Sequence, residues 1–332
     1  MREAEDGSMR RGTLVLAHVL TFAVLFGAVS AYAQDWPTKG VRIIVPFAAG
    51  ATPDLVARLI ADHLRDKLGQ SFIVENKPGA SGNTGTDAIA KAEPDGSTIG
   101  VSIGGPLAIN TLLFGSLPYD PKKDLALITT LVSQPSALAV NASLGVNNTA
   151  ELTDLIKRNP GKYTYGSIGT GSLSQLAMEA IALKAGTKLV HVPYPSSPQA
   201  IQALIRNDVQ MVCLPAISVT PQLAGGAVKM LAVSTAKRSA LLPDVPTLKE
   251  AGIDVEADAW SGLVGPAGLP EAMIARINRD VADAITSPEV REKLKTQLME
   301  PVPDTPAQFR ARIDTDIARW TPVIAAANIK IN

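Results

Sequence analysis

Two short segments carry residues that could bind an anion, and each lies between a strand-like run and a helix-like run. Residues 46–54 read PFAAGATPD, and residues 165–172 read YGSIGTGS. A helix that begins directly after a strand presents unpaired backbone N–H groups and the positive end of its dipole. Glycines allow a ligand to approach the backbone, and hydroxyls add further hydrogen-bonding groups. The first segment therefore predicts an anion site, and the second predicts a further ligand-contacting loop.

Simpler interpretations exist for parts of both segments. Asp54 could accept a hydrogen bond from a ligand, but we prefer its interpretation as a first-turn acid that pairs with Arg58 four residues later. The second segment could be a glycine-rich turn in which Ser172 caps the following helix. A third segment, residues 79–85 (GASGNTG), lacks the glycine spacing of a dinucleotide fingerprint and is interpreted as a turn before a helix.

The residues that could support catalysis or metal binding are few. Neither a phosphate-binding P-loop nor a Gly-x-Ser-x-Gly elbow is present. His18 lies in the N-terminal apolar run, and we interpret His63 and His191 as structural residues. Cys213, in an apolar stretch, is interpreted as a small buried hydrophobe. We expect no metal, no cofactor and no enzymatic activity.

The N-terminal residues are typical of an exported protein. Arg10 and Arg11 precede an apolar run at residues 14–29, and the small-residue pattern Ala-Tyr-Ala ends at Ala33. This order predicts a signal peptide, residues 1–33, that is cleaved near Ala33, and it places the protein in the periplasm. Formal net charge is zero at pH 7, which argues against a nucleic-acid partner.

Short apolar runs alternate with helix-period segments along the chain, which predicts an α/β protein with a mostly parallel sheet. A second set of such runs begins near residue 137, so we expect two α/β units and two chain crossings between them. Strands are predicted at residues 41–47, 71–74, 98–103, 137–141, 163–166, 188–192, 209–214, 228–234 and 259–264. Helices are predicted at residues 53–68, 84–92, 107–113, 149–158, 172–185, 198–206, 271–285 and 306–327.

Several ordered sequence blocks extend this pattern. They are WP at 36–37, VEN at 74–76, PGA at 78–80, PDG at 94–96, LPYDP at 117–121, NPGK at 159–162, HVPY at 191–194, LPDVPT at 242–247, WSGL at 260–263 and PAG at 266–268. Together they resemble the substrate-binding receptors of tripartite tricarboxylate transporters, often called Bug-type proteins. The resemblance extends over essentially the whole chain after residue 33.

This resemblance implies a type II periplasmic-binding-protein fold, in which two α/β lobes joined by a two-segment hinge enclose the ligand in a cleft. Lobe 1 would comprise residues 34–137 and 258–332, and lobe 2 residues 138–257. Two loops, one from each lobe, would hold a carboxylate through backbone N–H groups and hydroxyls. The ligand-binding residues implied are Phe47, Ala48, Ala49, Gly50, Ala51, Asp54, Ser167, Gly169, Thr170, Gly171, Ser172 and Gln175.

The chain departs from the family pattern at three places. The usual Gly-Gly of the first loop is Gly50-Ala51, a common His after the second loop is Gln175, and Pro195-Ser196 replaces a Lys-Gly. These departures bear on the ligand and not on the fold. A role follows from the resemblance: a monomer that captures a small carboxylate-containing metabolite and delivers it to integral membrane subunits of the transporter. A ligand sensor for a membrane signalling protein and an exported α/β hydrolase are the alternatives.

Overall fold

The first strand shows how the sequence forms the core. Its residues, VRIIV, are buried at every position except Arg42, which is typical of a strand covered on both faces. The computed structural model describes residues 36–331. The predicted signal peptide and its cleavage site lie outside these residues.

Eleven strands and ten α-helices are found in the described part of the chain. The strands are β1 (Val41–Val45), β2 (Phe72–Asn76), β3 (Thr98–Ile103), β4 (Leu125–Gln134), β5 (Ser136–Asn141), β6 (Thr164–Ser167), β7 (Val190–Pro193), β8 (Met211–Pro215), β9 (Val228–Val233), β10 (Ala259–Pro266) and β11 (Glu300–Pro301). The helices are α1 (Thr52–Leu68), α2 (Asn83–Ala90), α3 (Asn110–Leu113), α4 (Thr149–Arg158), α5 (Leu173–Ala185), α6 (Ser197–Ile205), α7 (Ala216–Val219), α8 (Glu271–Thr286), α9 (Pro288–Lys295) and α10 (Pro306–Ala327).

The strands form two sheets. One has six strands in the order β11-β4-β10-β3-β1-β2, and the other has five in the order β7-β6-β8-β5-β9. The expectation of a mostly parallel sheet is wrong, because β10 pairs antiparallel with both β3 and β4, and β5 pairs antiparallel with β8 and β9. Both β5 and β10 directly follow a crossing between the sheets. Strand β5 begins at the edge where β6 and β8 end, and β10 begins at the edge where β1 and β3 end.

Helix ends carry the capping residues that physical chemistry prefers. Helix α1 has a proline in its first turn and ends at Gly69 in the left-handed conformation. Helix α10 begins with a capping box, in which Thr305 and Gln308 exchange side-chain and backbone hydrogen bonds. These signals explain why the bounds of both helices agree closely with the prediction, whereas strand β4 was not predicted.

The chain crosses between the sheets twice, as expected. Pro135 separates β4 from β5, and residues 234–258 lead from β9 back to β10. Helix α10 then reaches beyond the first sheet, since Trp320 and Ile324 pack in a cluster with Leu138 and Tyr165 of the second. Pro37–Asn332 form one compact unit. The proposed lobe boundaries stay a prediction.

Within residues 36–331, no cluster of three or more His, Cys, Asp or Glu side chains could hold a metal ion. None of the helices described has the length and apolar character needed to cross a membrane.

Candidate ligand-binding site

A cavity of about 460 Å³ lies between the two sheets. On the first sheet it is bordered by residues that follow β1 and β3, end β4 or begin β10, and these four positions share one sheet edge. The first-sheet residues of this border are Phe47, Ala51, Thr52, Pro53, Ile103, Gly104, Gly105, Val132, Gln134, Asp258, Ala259, Trp260 and Ser261.

The second sheet contributes its corresponding edge. Strands β6 and β8 end there, and the antiparallel strand β5 begins there. Residues of these segments that line the cavity are Ser136, Ile168, Thr170, Gly171, Ser172, Leu173, Ser174, Cys213 and Pro215. Both predicted anion-binding loops thus border one cavity. A ligand between the sheets can contact both of them.

The first loop, residues 47–54, is held in shape by Asp54. This carboxylate is 2 % exposed and accepts hydrogen bonds from the Gly50 N–H (2.8 Å), from Arg58 Nε and Nη2 (3.0 and 2.9 Å) and from Asn76 Nδ2 (2.9 Å). Burial alone would raise the pKa of Asp54, but the hydrogen bonds from Arg58, Gly50 and Asn76 lower it below its ordinary value. The hydrogen bonds that the Asp54 carboxylate accepts thus come from protein groups and need no ligand. The i+4 pairing with Arg58 that we preferred is therefore confirmed.

The second loop, residues 167–174, is also braced from within. Ser167 Oγ accepts from the Gly169 N–H (3.1 Å), and Gln175 Oε1 accepts from the Gly171 N–H (2.7 Å). Ser172 Oγ donates to the Gly169 carbonyl oxygen (2.6 Å) and caps α5. Gly171 has φ +77°, and an added Cβ would lie 2.7 Å from the side chains of Leu113 and Ile331. The positive φ strongly favours glycine there.

Several backbone donors on the cavity border are left over, including donors from both loops. Among residues 36–331, the N–H groups of Thr52, Thr170 and Leu173 have no hydrogen-bond partner. Thr52 and Leu173 are the first residues of α1 and α5, where a helix cannot satisfy its own N–H groups. Because the positive ends of both helix dipoles face the same cavity, the site favours a negatively charged group.

The structure divides the predicted ligand-binding residues into two groups. Five border the cavity: Phe47, Ala51, Thr170, Gly171 and Ser172. The others lie beside it, either as solvent-exposed loop backbone or as internal hydrogen-bonding groups: Ala48, Ala49, Gly50, Asp54, Ser167, Gly169 and Gln175. Contact of any of these residues with a ligand stays a prediction.

Other cavity residues were missed by the sequence analysis. Trp260 and Asp258 reach the site through β10, and Asp316 reaches it through α10. Trp260 Nε1 donates to Asp316 Oδ2 (2.8 Å), and burial raises the pKa of Asp316. Ser81, with φ +56°, belongs to the turn that we interpreted from the glycine-rich residues 79–85. Only the block WSGL at 260–263 could have signalled part of this set.

Ser167 and His191 form a pair that superficially suggests nucleophilic catalysis. Ser167 Oγ lies 2.6 Å from His191 Nε2, and the imidazole stacks on Tyr165. Burial lowers the pKa of His191, so the ring is neutral at pH 7. Ser167, however, is fully buried and is not among the residues that line the cavity, and in the described residues no carboxylate contacts the His191 ring. The pair braces the loop.

Comparison with known proteins agrees with this geometry. Residues 56–329 match the family described as Tripartite tricarboxylate transporter family receptor. The protein BugT of Bordetella pertussis is 31 % identical over 322 residues, which cover 96 % of this chain and 99 % of BugT.

Two solved structures are similar over nearly their whole length. Rpa4515 of R. palustris, solved with adipate, is 33 % identical with a TM-score of 0.76, and 89 % of this chain matches 99 % of that one. MatC of Rhodopseudomonas palustris, solved with bound malate, is 30 % identical with a TM-score of 0.71, and 87 % of this chain matches 100 % of MatC.

The fold and the cavity define a two-lobed solute-binding protein of the type II periplasmic-binding-protein class. The chain belongs to the family of tripartite tricarboxylate transporter receptors, the Bug-type proteins. This is a family of solute-binding receptors and not of enzymes, so we reject the alternative of an exported α/β hydrolase.

Proposed function

We propose that the chain captures a small organic carboxylate between its two sheets and delivers it to the integral membrane subunits of a tripartite tricarboxylate-type transporter. The observation that carries the proposal is the set of unpaired N–H groups at Thr52, Thr170 and Leu173 on one cavity. Carboxylates accept hydrogen bonds from such donors strongly. Adipate and malate, the ligands of Rpa4515 and MatC, are both carboxylates.

Closure of the two sheets about the crossings at residues 135 and 234–258 would complete the site, because the donors come from both sheets. A ligand shifts an open–closed equilibrium only through contacts that the closed form adds. In this proposal the lobes are residues 34–137 with 258–332, and residues 138–257. The protein acts as a periplasmic monomer after cleavage near Ala33.

A thermal-shift screen tests the carboxylate class. Protein stripped of bound ligand by unfolding and refolding is mixed with mono-, di- and tricarboxylates, and each carboxylate is paired with its uncharged amide. A ligand at 100 times its dissociation constant adds about 2.7 kcal/mol to the free energy of unfolding, which raises Tm by about 4 °C for a protein of roughly 300 residues. Stabilisation by an acid and not by its amide supports the proposal. A response to neither, from folded protein, contradicts it.

A further inference from the structure

Strand order gives the cavity a long axis. From the first loop, which follows β1, the sheet edge continues through β3 and β10 to β4. Neighbouring strands lie about 4.8 Å apart, so Ala259 at the start of β10 and Asp258 directly before it are about 10 Å from the first loop. A carboxylate held between the two loops therefore has a body that extends along this edge. We call the region of Gln134, Asp258, Trp260, Ser261 and Asp316 the distal end.

Apolar side chains surround the middle of this axis. Ile103 ends β3, and Ile168 and Leu173 face the cavity from the second loop, while Trp260 lies beyond them. The would-be Cβ of Gly104 lies 3.2 Å from the Trp260 ring, so the indole packs close to the end of β3. These surroundings suit an aliphatic or aromatic body.

The distal end carries two carboxylates, those of Asp258 and Asp316. Asp258 Oδ2 accepts from Ser133 Oγ (2.7 Å) and from Arg312 Nη1 (3.2 Å), whereas Asp258 Oδ1 has no hydrogen-bond partner within residues 36–331. The side chain of Asp258 is 9 % exposed. Asp316 accepts from Trp260 and Arg319. Although Arg312 and Arg319 pair with these acids, the cavity lining formed by the described residues contains no Arg, Lys or His side chain.

One hydroxyl at the distal end is also unpartnered. Ser261 is 1 % exposed, lines the cavity and has no hydrogen-bond partner for its Oγ among the described residues. A buried polar group without a partner costs free energy unless a ligand or water satisfies it. Both Asp258 Oδ1 and Ser261 Oγ can accept a hydrogen bond there.

We infer that the ligand carries a single carboxylate at the loops, an apolar body, and a hydrogen-bond donor such as a hydroxyl or an ammonium group at the distal end. A second carboxylate would meet the unpartnered Oδ1 of Asp258, because Arg312 pairs with Oδ2 and does not line the cavity. This inference rests on the proposed carboxylate site. It separates the chain from Rpa4515, whose ligand adipate has a carboxylate at each end.

A length-matched series tests the inference. The probes are hexanoate, 6-hydroxyhexanoate, 6-aminohexanoate and adipate, which share six carbons and differ only at the far end. Four- and eight-carbon series, and the aromatic pair 4-hydroxybenzoate and terephthalate, guard against a wrong length. Dissociation constants from calorimetry on ligand-free protein are expected to be at least tenfold weaker for the diacid than for the hydroxy acid of the best-binding length.

Asp258→Asn should reduce the ratio of the dissociation constants of the diacid and the hydroxy acid several-fold, because it removes the charge that repels the second carboxylate. Asp254→Asn is the matched control, since Asp254 is 73 % exposed and pairs with Lys184 outside the cavity lining. Asp254→Asn should leave the ratio of the two dissociation constants unchanged. If Asp258→Asn does not fold, the wild-type series still decides selectivity, and Asp316→Asn serves as the second variant.

The outcomes are distinct. A diacid that binds as tightly as, or more tightly than, its hydroxy acid overturns the inference and leaves the carboxylate site intact. If neither Asp258→Asn nor Asp316→Asn alters the ratio of the two dissociation constants, the assignment of selectivity to the distal end is overturned. Absence of binding by every mono- and dicarboxylate overturns the proposed function, and the inference with it.

Discussion

Asp54 shows how much a single side chain contributes to the shape of the site. Its carboxylate connects the backbone of the first loop to α1 through Arg58 and to β2 through Asn76. The pairing with Arg58 could be predicted, because residues four apart lie on one face of a helix. The contacts with Gly50 and Asn76 could not, because they depend on the fold around the loop and on strand β2.

Replacement of Asp54 by Asn should lower the free energy of unfolding by about 1–3 kcal/mol at pH 7, since the variant loses charge-assisted hydrogen bonds in a buried place. The pKa of Asp54 is lowered in the folded state. Its contribution is therefore complete above the ordinary aspartate pKa of about 4 and is lost as the pH falls through the folded-state pKa. Urea unfolding of both proteins at pH 7, 5 and 3 should show the difference shrinking at the lowest pH.

Asp62→Asn is the control for this prediction. Asp62 pairs with Arg65 on the same helix, but its side chain is 62 % exposed. Exposed pairs of this kind contribute less than about 1 kcal/mol. Equal losses in the two variants at pH 7 would show that Asp54 has no special role in the loop.

At the scale of elements, the two helix N-termini are the features that a ligand would use. Leu173 is the first residue of α5, and Ser172 before it has φ −69° and ψ 154°, a conformation that a following proline allows. Leu173→Pro therefore removes one N–H donor and leaves the helix intact. Leu173→Ala is the matched control, because it shortens the side chain and keeps the N–H.

Leu173→Pro should weaken carboxylate binding about ten- to a hundredfold relative to Leu173→Ala, which corresponds to one lost hydrogen bond to a charged group. Far-UV circular dichroism should be unchanged, and calorimetry gives the affinities. If the two variants bind the acid equally, the Leu173 N–H does not contact the carboxylate.

Prediction of elements from sequence succeeded where local signals are strong. The predicted helix at 172–185 agrees with the observed α5 (Leu173–Ala185) to within one residue, because a serine cap and a terminal glycine define the ends of this helix. Strand β4 was missed because LALITTLVSQ is buried at eight of ten positions and shows no regular alternation. The prediction of mostly parallel strands was wrong, because hydrophobic periodicity indicates which residues are buried and not in which direction a neighbouring strand runs.

At the scale of the whole molecule, the cavity combines residues that are distant in the chain. Both loops could be predicted, because each is a strand–loop–helix junction. Asp258 and Trp260 could not, since they reach the cavity only when β10 inserts between β3 and β4. The two loops to which we assign the anion were thus accessible from sequence. The part of the site that we assign to selectivity depended on topology.

Cys213 offers a measurement of opening. It is the only cysteine in the sequence, lines the cavity and is 0 % exposed, and burial raises the pKa of its thiol to about 12. Reaction with a thiol reagent at pH 8 should therefore require opening. A carboxylate at 100 times its dissociation constant should slow the reaction about a hundredfold, if the form that reacts does not bind the ligand.

A surface thiol provides the control for this experiment. Leu183 is 47 % exposed on α5, so Leu183→Cys combined with Cys213→Ala places one thiol outside the cavity lining. Its labelling rate should not depend on ligand. Unchanged labelling of Cys213 in protein saturated with ligand would contradict opening as the route to the thiol.

The central position of β10 also affects the order in which the sheets can fold. Strands β3 and β4 lie far before β10 in the chain, so the first sheet has a gap at its centre until residues 259–266 have paired. The second sheet is built from one uninterrupted stretch, from β5 to β9. Pairing within a short stretch closes smaller loops and proceeds faster. The second sheet can therefore fold first, while the four strands β1 to β4 lack their central neighbour and are exposed to aggregation.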